Sequence, residues 1–146
     1  MPDDDKMKVG KVKDLLNKAI PLQFRSAAIY TWAAGAATGI EFQTLGVQFE
    51  EYGRLELDDA RRLIEKLVAL GGDPVTTVAP FDKIGANKTG IKKLIYYEEE
   101  ALEALHSVIP ESGQEPRSEA LEHLMEHMLM RKQEQVDFLE RVRQGL

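Results

Sequence analysis

The sequence predicts an all-α protein, a four-helix bundle with one long crossover between its second and third helices. Apolar residues recur at helical spacing in four long segments. Two of the three connections between these segments are short. The remaining connection, residues 71–88, has neither helical nor strand periodicity. Its last sixteen residues can reach about 50 Å when extended, which exceeds the roughly 42 Å length of a 28-residue helix, so it can cross the whole bundle.

The four predicted helices form a single domain over residues 1–146. They cover residues about 9–37, 41–70, 89–109 and 118–144. The second helix ends at Gly71-Gly72-Asp73-Pro74, the usual order of a helix stop. Pro21 is expected to bend the first helix, because its ring clashes with the preceding turn.

The composition is that of an ordinary globular protein and excludes several classes of function. Hydrophobic residues make up 43% and charged residues 30% of the 146 residues. No apolar run is long enough to span a membrane. The net charge of −6 disfavours general binding to nucleic acid. Cysteine is absent and the first residues do not resemble a signal peptide, so we expect a cytoplasmic location.

Each predicted helix interrupts its apolar stripe with polar residues near its middle. These residues are Gln23, Glu56 with Asp59, Glu98, and Lys132 with Gln135. Antiparallel packing brings the four midpoints into one buried layer, where unpaired charge is costly. In the third helix Glu99 is the alternative to Glu98, but the stripe favours Glu98 and directs Glu99 to water.

The chain resembles the bacterioferritin and ferritin-like family over nearly its full length. The similar segments are Leu15-Leu16-Asn17 followed by Gln23 and Tyr30, Glu56-Leu57-Asp58-Asp59-Ala60, Glu98, and Lys132-Gln133-Glu134-Gln135 followed by Val136-Asp137-Phe138-Leu139-Glu140. In that family two helices each supply a glutamate and two supply Glu-x-x-His to a di-iron centre. The resemblance implies an iron-binding or iron-storage ancestry for this chain.

Four of the six ligand positions differ from the family pattern. Gln23 and Lys132 stand where the family has glutamate, and Asp59 and Gln135 stand where it has histidine. The resemblance leaves Glu56, Asp59 and Glu98 as metal ligands, with Gln23, Tyr30, Lys132 and Gln135 lining the site. Three acids against Lys132 leave a charge of −2, which suits either one divalent ion of iron or manganese or partial protonation of the acids. Haem is not expected, because Leu57 replaces the family's haem-bridging methionine.

Three functions are compatible with these residues. The first is a ferritin-like structural or binding module whose di-iron centre is lost or reduced to at most one metal. The second is an active iron-oxidising or iron-storage protein with an atypical ligand set. The third is a helical protein-interaction dimer, because a second apolar stripe of Leu57, Ile64 and Val68 exceeds what one core needs. That stripe predicts a homodimer through the outer faces of the first two helices.

Overall fold

The computed structural model describes residues 6–84 and 87–146, without the side chain of Glu41, and consists of four long helices. These are α1 (Val9–Ala36), α2 (Gly39–Ala69), α3 (Lys88–His106) and α4 (Pro116–Gly145), with a short 3-10 turn at Ile109–Glu111. The described residues contain no strand. The predicted fold class, four helices with a long crossover between α2 and α3, is confirmed. Residues 1–5 and the predicted crossover residues Gly85 and Ala86 lie outside the described part.

The observed helix ends follow local stop and start signals. At the end of α2, Gly71 adopts a φ of 82°, and the N–H groups of Gly71 and Gly72 donate to the carbonyls of Val68 and Leu67, both at 2.9 Å. This is the glycine-dependent helix stop that the sequence predicts. Helix α4 begins at Pro116, two residues before the prediction, because proline suits the first turn of a helix.

The third helix is shorter than predicted, whereas the first is uninterrupted. Helix α3 ends at His106 because the chain then turns through a 3-10 segment that contains Pro110. Helix α1 continues through Pro21. The Pro21 carbonyl accepts a hydrogen bond from the Ala79 N–H at 3.1 Å, so this turn also holds the crossover.

Two further side chains fix the crossover to the bundle. Asn17 donates to the Asp73 carbonyl at 3.0 Å and accepts from the Val75 N–H at 2.9 Å. The Tyr97 hydroxyl accepts from the Asp82 N–H at 2.9 Å. The crossover is therefore held at its start, middle and end by residues of α1 and α3.

The core consists of two apolar clusters on either side of a polar layer. One cluster includes Leu16, Leu67, Leu105 and Leu121, and the other includes Tyr30, Phe49, Leu94 and Leu139. In every helix the buried charged and glutamine side chains lie, along the chain, between members of these two clusters. The fold thus places the middle of all four helices at one level.

The outer side of α1, α2 and the crossover carries most of the exposed large apolar residues. They are Trp32, Ile40, Val47, Leu57, Val68, Val75 and Val78. Beside them a groove of about 750 Å³ is lined by Phe24, Trp32, Leu57, Val78 and Phe81, among others. Ile64, part of the predicted second stripe, instead packs partly against the core. None of the described helices is long and apolar enough to cross a membrane.

Candidate functional site

The polar layer at the middle of the bundle brings together side chains from all four helices. Its residues are Gln23, Ser26 and Tyr30 of α1, Glu56 and Asp59 of α2, Glu98 of α3, and Lys132 and Gln135 of α4, each at most 1% exposed. Helical spacing places each set on the inward face of its helix. The seven residues selected from the sequence are therefore all buried at one level.

Lys132 lies between the two central glutamates. Its Nζ atom contacts Glu56 Oε2 directly, and it lies 3.2 Å and 3.4 Å from the two carboxylate oxygens of Glu98. It also donates to Ser26 Oγ at 3.1 Å. The ammonium thus uses its three donors on groups from the other three helices, and it occupies the space between the two carboxylates.

Glu56 is held by amides as well as by cations. Gln23 Nε2 donates to Glu56 Oε2 at 2.6 Å and to the Glu56 carbonyl at 2.8 Å. Gln135 Nε2 donates to Glu56 Oε1 at 2.8 Å. Both glutamines therefore turn their NH₂ groups toward the carboxylate, and their buried Oε1 atoms have no hydrogen-bond partner within the described part of the chain.

Glu98 is the acid of α3 that enters the layer. Ser26 Oγ donates to its Oε1 at 2.5 Å, and Tyr30 Oη and Gln135 Nε2 each donate to its Oε2 at 3.2 Å. Glu99 is exposed. The structure thus decides between the two acids in favour of Glu98 as the buried residue, as the apolar stripe predicts.

Asp59 is buried but paired with a different cation. Arg131 makes a two-pronged contact with it, from Nη1 to Oδ1 at 3.1 Å and from Nη2 to Oδ2. The same guanidinium lies 3.5 Å from Glu56 Oε1. Sequence reasoning missed Arg131 because it flanks the inward stripe of α4. The signal was available, since three acids facing only Lys132 required another cation.

The pKa directions follow from this network. Burial would raise the pKa of Glu56, but Lys132, Gln135 and Arg131 outweigh burial and lower it. Burial raises the pKa of Glu98, which Lys132 offsets only in part. For Lys132, burial acts to lower the pKa, but the two glutamates raise it above its ordinary value. The layer therefore favours a charged Lys132–Glu56 pair, with Glu98 the more readily protonated of the two glutamates.

Burial also raises the pKa values of two other groups of the layer, Tyr30 and Asp59. Desolvation, with Glu98 and Glu56 nearby, raises the pKa of Tyr30 well above its ordinary value. Desolvation also raises the pKa of Asp59 despite its contact with Arg131. With three acids against two cations the layer carries one excess negative charge when all five groups are ionised, and a retained proton removes it.

The acids of the layer do not gather as a cluster. Within residues 6–84 and 87–146, no group of three or more histidine, aspartate or glutamate side chains is arranged to hold a metal ion. Glu56 and Glu98 meet around Lys132, whereas Asp59 is turned toward Arg131. As it stands, the arrangement is a closed set of hydrogen bonds and ion pairs.

Solved structures with this fold include two from bacteria. A ferritin-like diiron-carboxylate protein from Bacillus anthracis str. Ames superposes with a TM-score of 0.86 at 21% identity, covering 92% of this chain and 96% of that chain. The bacterioferritin of Rhodobacter capsulatus, solved with a metal-free dinuclear site and haem iron, gives a TM-score of 0.74 at 18% identity, covering 90% of this chain and 82% of that chain. No curated protein matches the sequence.

Family assignment rests on the sequence as well as on the fold. The model of the Ferritin family, described as the ferritin-like domain, matches residues 13–146. That range includes all four helix midpoints and every residue of the polar layer. The chain therefore belongs to the ferritin-like domain family.

Proposed function

We propose that this protein is a ferritin-like module whose central site is filled by its own cations, so that it acts as a structural or binding protein and does not oxidise iron. The observation that carries the proposal is the position of Lys132. Its ammonium lies between Glu56 and Glu98, in contact with both carboxylates. A charged lysine has no lone pair to offer a metal, and it neutralises the acids that would otherwise attract one.

The remaining donors do not fit a pair of divalent ions. Two such ions bring a charge of +4, whereas the acids and cations of the layer leave at most −1. Gln23 and Gln135 present N–H groups to Glu56, which a bound cation would oppose. Arg131 holds both oxygens of Asp59. Loading would require the chain to expel or deprotonate Lys132 and to turn both amides.

A single divalent ion is the remaining metal-dependent possibility. Glu56, Glu98 and Asp59 supply carboxylates, but an ion between the two glutamates must take the place of the Lys132 ammonium. Because that ammonium is tethered and has no entropy of association to lose, it competes strongly with free metal. We therefore expect the unmodified protein, which has Lys132, to bind iron or manganese only weakly.

We further propose that the protein is a cytoplasmic homodimer that pairs through the outer faces of α1 and α2. Seven large apolar residues are exposed on α1, α2 and the crossover, including Trp32, Val47 and Leu57. Three of the seven, Trp32, Leu57 and Val78, line one apolar groove, and an exposed apolar groove of this kind is typical of a protein–protein interface. The absence of cysteine is in keeping with a reducing compartment.

The test is iron oxidation by purified protein in air. Fe(II) is added stepwise, and the absorbance of the ferric product and the oxygen consumed are followed against buffer. We expect oxidation no faster than in buffer at every iron-to-protein ratio. The matched comparison is the variant Gln23→Glu, Asp59→His, Lys132→Glu, Gln135→His, which restores the family's ligand types. A fast phase in the unmodified protein that saturates at a fixed number of Fe(II) per chain would refute the proposal.

A further inference from the structure

The outward face of α4 carries two histidines that are one helical turn apart. His123 and His127 are both exposed, and the side chain of His123 retains 71% of its full accessibility. They lie on the side of α4 opposite the buried line of Met125, Met128 and Lys132. Residues four apart on a helix have Cβ atoms about 5–6 Å apart. Two imidazoles at this spacing can reach one metal ion, since a zinc–nitrogen bond is about 2.0–2.1 Å long.

Acidic side chains surround this histidine pair. Glu126 Oε2 lies 4.0 Å from His123 Nδ1, and Glu119 Oε1 lies 3.8 Å from His123 Nε2. From Ser118 to Met130 the chain contains three glutamates, the third being Glu122, and neither lysine nor arginine. This face therefore has a local charge of −3, which attracts cations from solution.

These three glutamates differ from the acids of the polar layer in what lies beside them. In the layer, Lys132 and Arg131 contact the acids directly. On the outward face of α4, by contrast, no lysine or arginine of the described residues lies within 4.0 Å of any of the three, and two of them approach only His123. The chain thus neutralises its buried acids with its own cations and does not do so for this exposed group.

The backbone already places three ligands within one turn. The described side chains are not yet gathered as a three-ligand metal site. However, both contacts of His123 with the glutamates are longer than a hydrogen bond, so they do not lock its ring. Glu126 lies between His123 and His127 along the helix axis, on the same exposed side. Rotation of exposed side chains is therefore enough to bring two nitrogens and one oxygen to a common point.

We propose that the outward face of α4 binds one divalent transition metal that prefers imidazole, Zn(II) or Cu(II), through His123, His127 and Glu126. Zinc accepts two histidines, a carboxylate and a water in tetrahedral geometry. Imidazole also suits Cu(II), whereas Mg(II) and Ca(II) prefer oxygen ligands. The site goes beyond the function proposed above, because it uses none of the residues of the polar layer.

Zinc binding by the purified protein tests the proposal. Zn(II) is titrated in competition with a chromogenic chelator, with excess Mg(II) present to occupy acids that attract cations by charge alone. We expect one Zn(II) per chain for the unmodified protein. His123→Asn and His127→Asn should each weaken binding at least about tenfold, because the second imidazole is held at a high effective concentration. Glu126→Gln should weaken binding by a smaller factor.

Two controls distinguish this site from a general effect of histidine content. His106→Asn removes an exposed histidine of α3 and should leave zinc binding unchanged. His127→Asn combined with Gln144→His keeps three histidines but sets two of them about 32 Å apart along α4, so it should bind no better than His127→Asn. All the substituted residues are exposed, and circular dichroism should show the same helix content in every variant.

Cu(II) gives a second readout that depends on the ligands themselves. Electron paramagnetic resonance of the copper-loaded protein should show coupling to two imidazole nitrogens, and to one in each histidine variant. No zinc binding, or zinc affinity that survives the loss of either histidine, overturns the site. One Zn(II) per two chains would place the metal between copies and also overturns it. None of these outcomes depends on Lys132, so iron oxidation tests the central site separately.

Discussion

The polar layer and the outer face of this bundle each reverse the usual distribution of residues. The interior layer holds five charged side chains, Glu56, Asp59, Glu98, Arg131 and Lys132, of which four are fully buried. The outer side of α1 and α2 exposes large apolar residues, with Leu57 at 54% and Val47 at 73% of their full accessibility. Contacts within the chain pair the charged groups of the layer, whereas the apolar residues of the outer face remain exposed.

The two regions differ because a buried charge and an exposed apolar side chain have different free-energy costs. A buried charge without a partner costs several kcal/mol, so a folded chain must neutralise it internally. An exposed apolar side chain costs a single chain little, and only contact with another surface covers it. The polar layer therefore bears on the stability of the monomer, and the outer face bears on association.

The largest effect is expected from removing the buried lysine. Lys132→Met should lower the free energy of unfolding by about 3–5 kcal/mol, because it leaves Glu56 and Glu98 without their shared cation. Chemical denaturation at neutral pH measures this loss. Lys92→Met, which removes an exposed lysine of α3, should change stability by no more than about 0.5 kcal/mol. Equal stability of Lys132→Met and the parent would mean that the lysine does not neutralise the layer.

Restoring the family's ligand residue types should allow the polar layer to bind metal. In the variant with Gln23→Glu, Asp59→His, Lys132→Glu and Gln135→His, the melting temperature should become dependent on Mn(II). At a metal concentration 100 times the dissociation constant the gain is about 2.7 kcal/mol. The parent should show no such gain. A parent that is stabilised as much as the variant would show that the lysine leaves the site when metal is offered.

A substitution on the outer face should change the association of the protein and not its folding stability. Leu57→Lys places a charge in the proposed interface and should raise the dimer dissociation constant at least about tenfold, or about 1.4 kcal/mol. Its unfolding as a monomer should be little changed, because Leu57 is half exposed. Tyr96→Lys on α3, which is 60% exposed, is the control and should leave association unchanged. Sedimentation velocity over a concentration series distinguishes the two.

The pH dependence of stability is expected to show a loss at alkaline pH. The fold raises the pKa values of Lys132 and Tyr30, so the folded protein retains both protons after the unfolded chain begins to lose them. The stabilisation from these two groups is complete below about pH 10, where lysine and tyrosine begin to lose their protons in the unfolded chain. It declines as the pH rises further. Each unit of raised pKa is worth about 1.4 kcal/mol. Denaturation between pH 8 and 11 should show a shallower decline in Lys132→Met than in the parent.

The loss of folding stability at acid pH should depend on Glu56, a different residue of the same layer. The pKa of Glu56 is lowered in the folded state, so its contribution is present above the unfolded value of about 4.3 and is lost as pH falls below it. Glu98 opposes this trend, because its raised pKa favours the protonated folded form. Glu56→Gln should therefore reduce the acid sensitivity of unfolding, whereas Glu98→Gln should not. Similar acid profiles for both variants would contradict the assigned directions.

The sequence by itself determined the four helices, the long crossover and the polar midpoint of each helix. Apolar spacing of three and four residues is a local property, and so is the glycine stop after Ala69. Gln23, Glu56, Glu98 and Lys132 were identifiable because each interrupts such a stripe. The family resemblance follows from the same local segments.

Only the tertiary structure decided how the buried charges pair. Arg131 lies on the flank of its stripe, and its contact with Asp59 depends on how α4 is rotated against α2. The position of Lys132 between two acids, and the orientation of both glutamines toward Glu56, likewise depend on contacts between residues 33 to 106 positions apart in the chain. Spacing along one helix fixes which face a side chain lies on, but its partner is set by the packing of other helices around it.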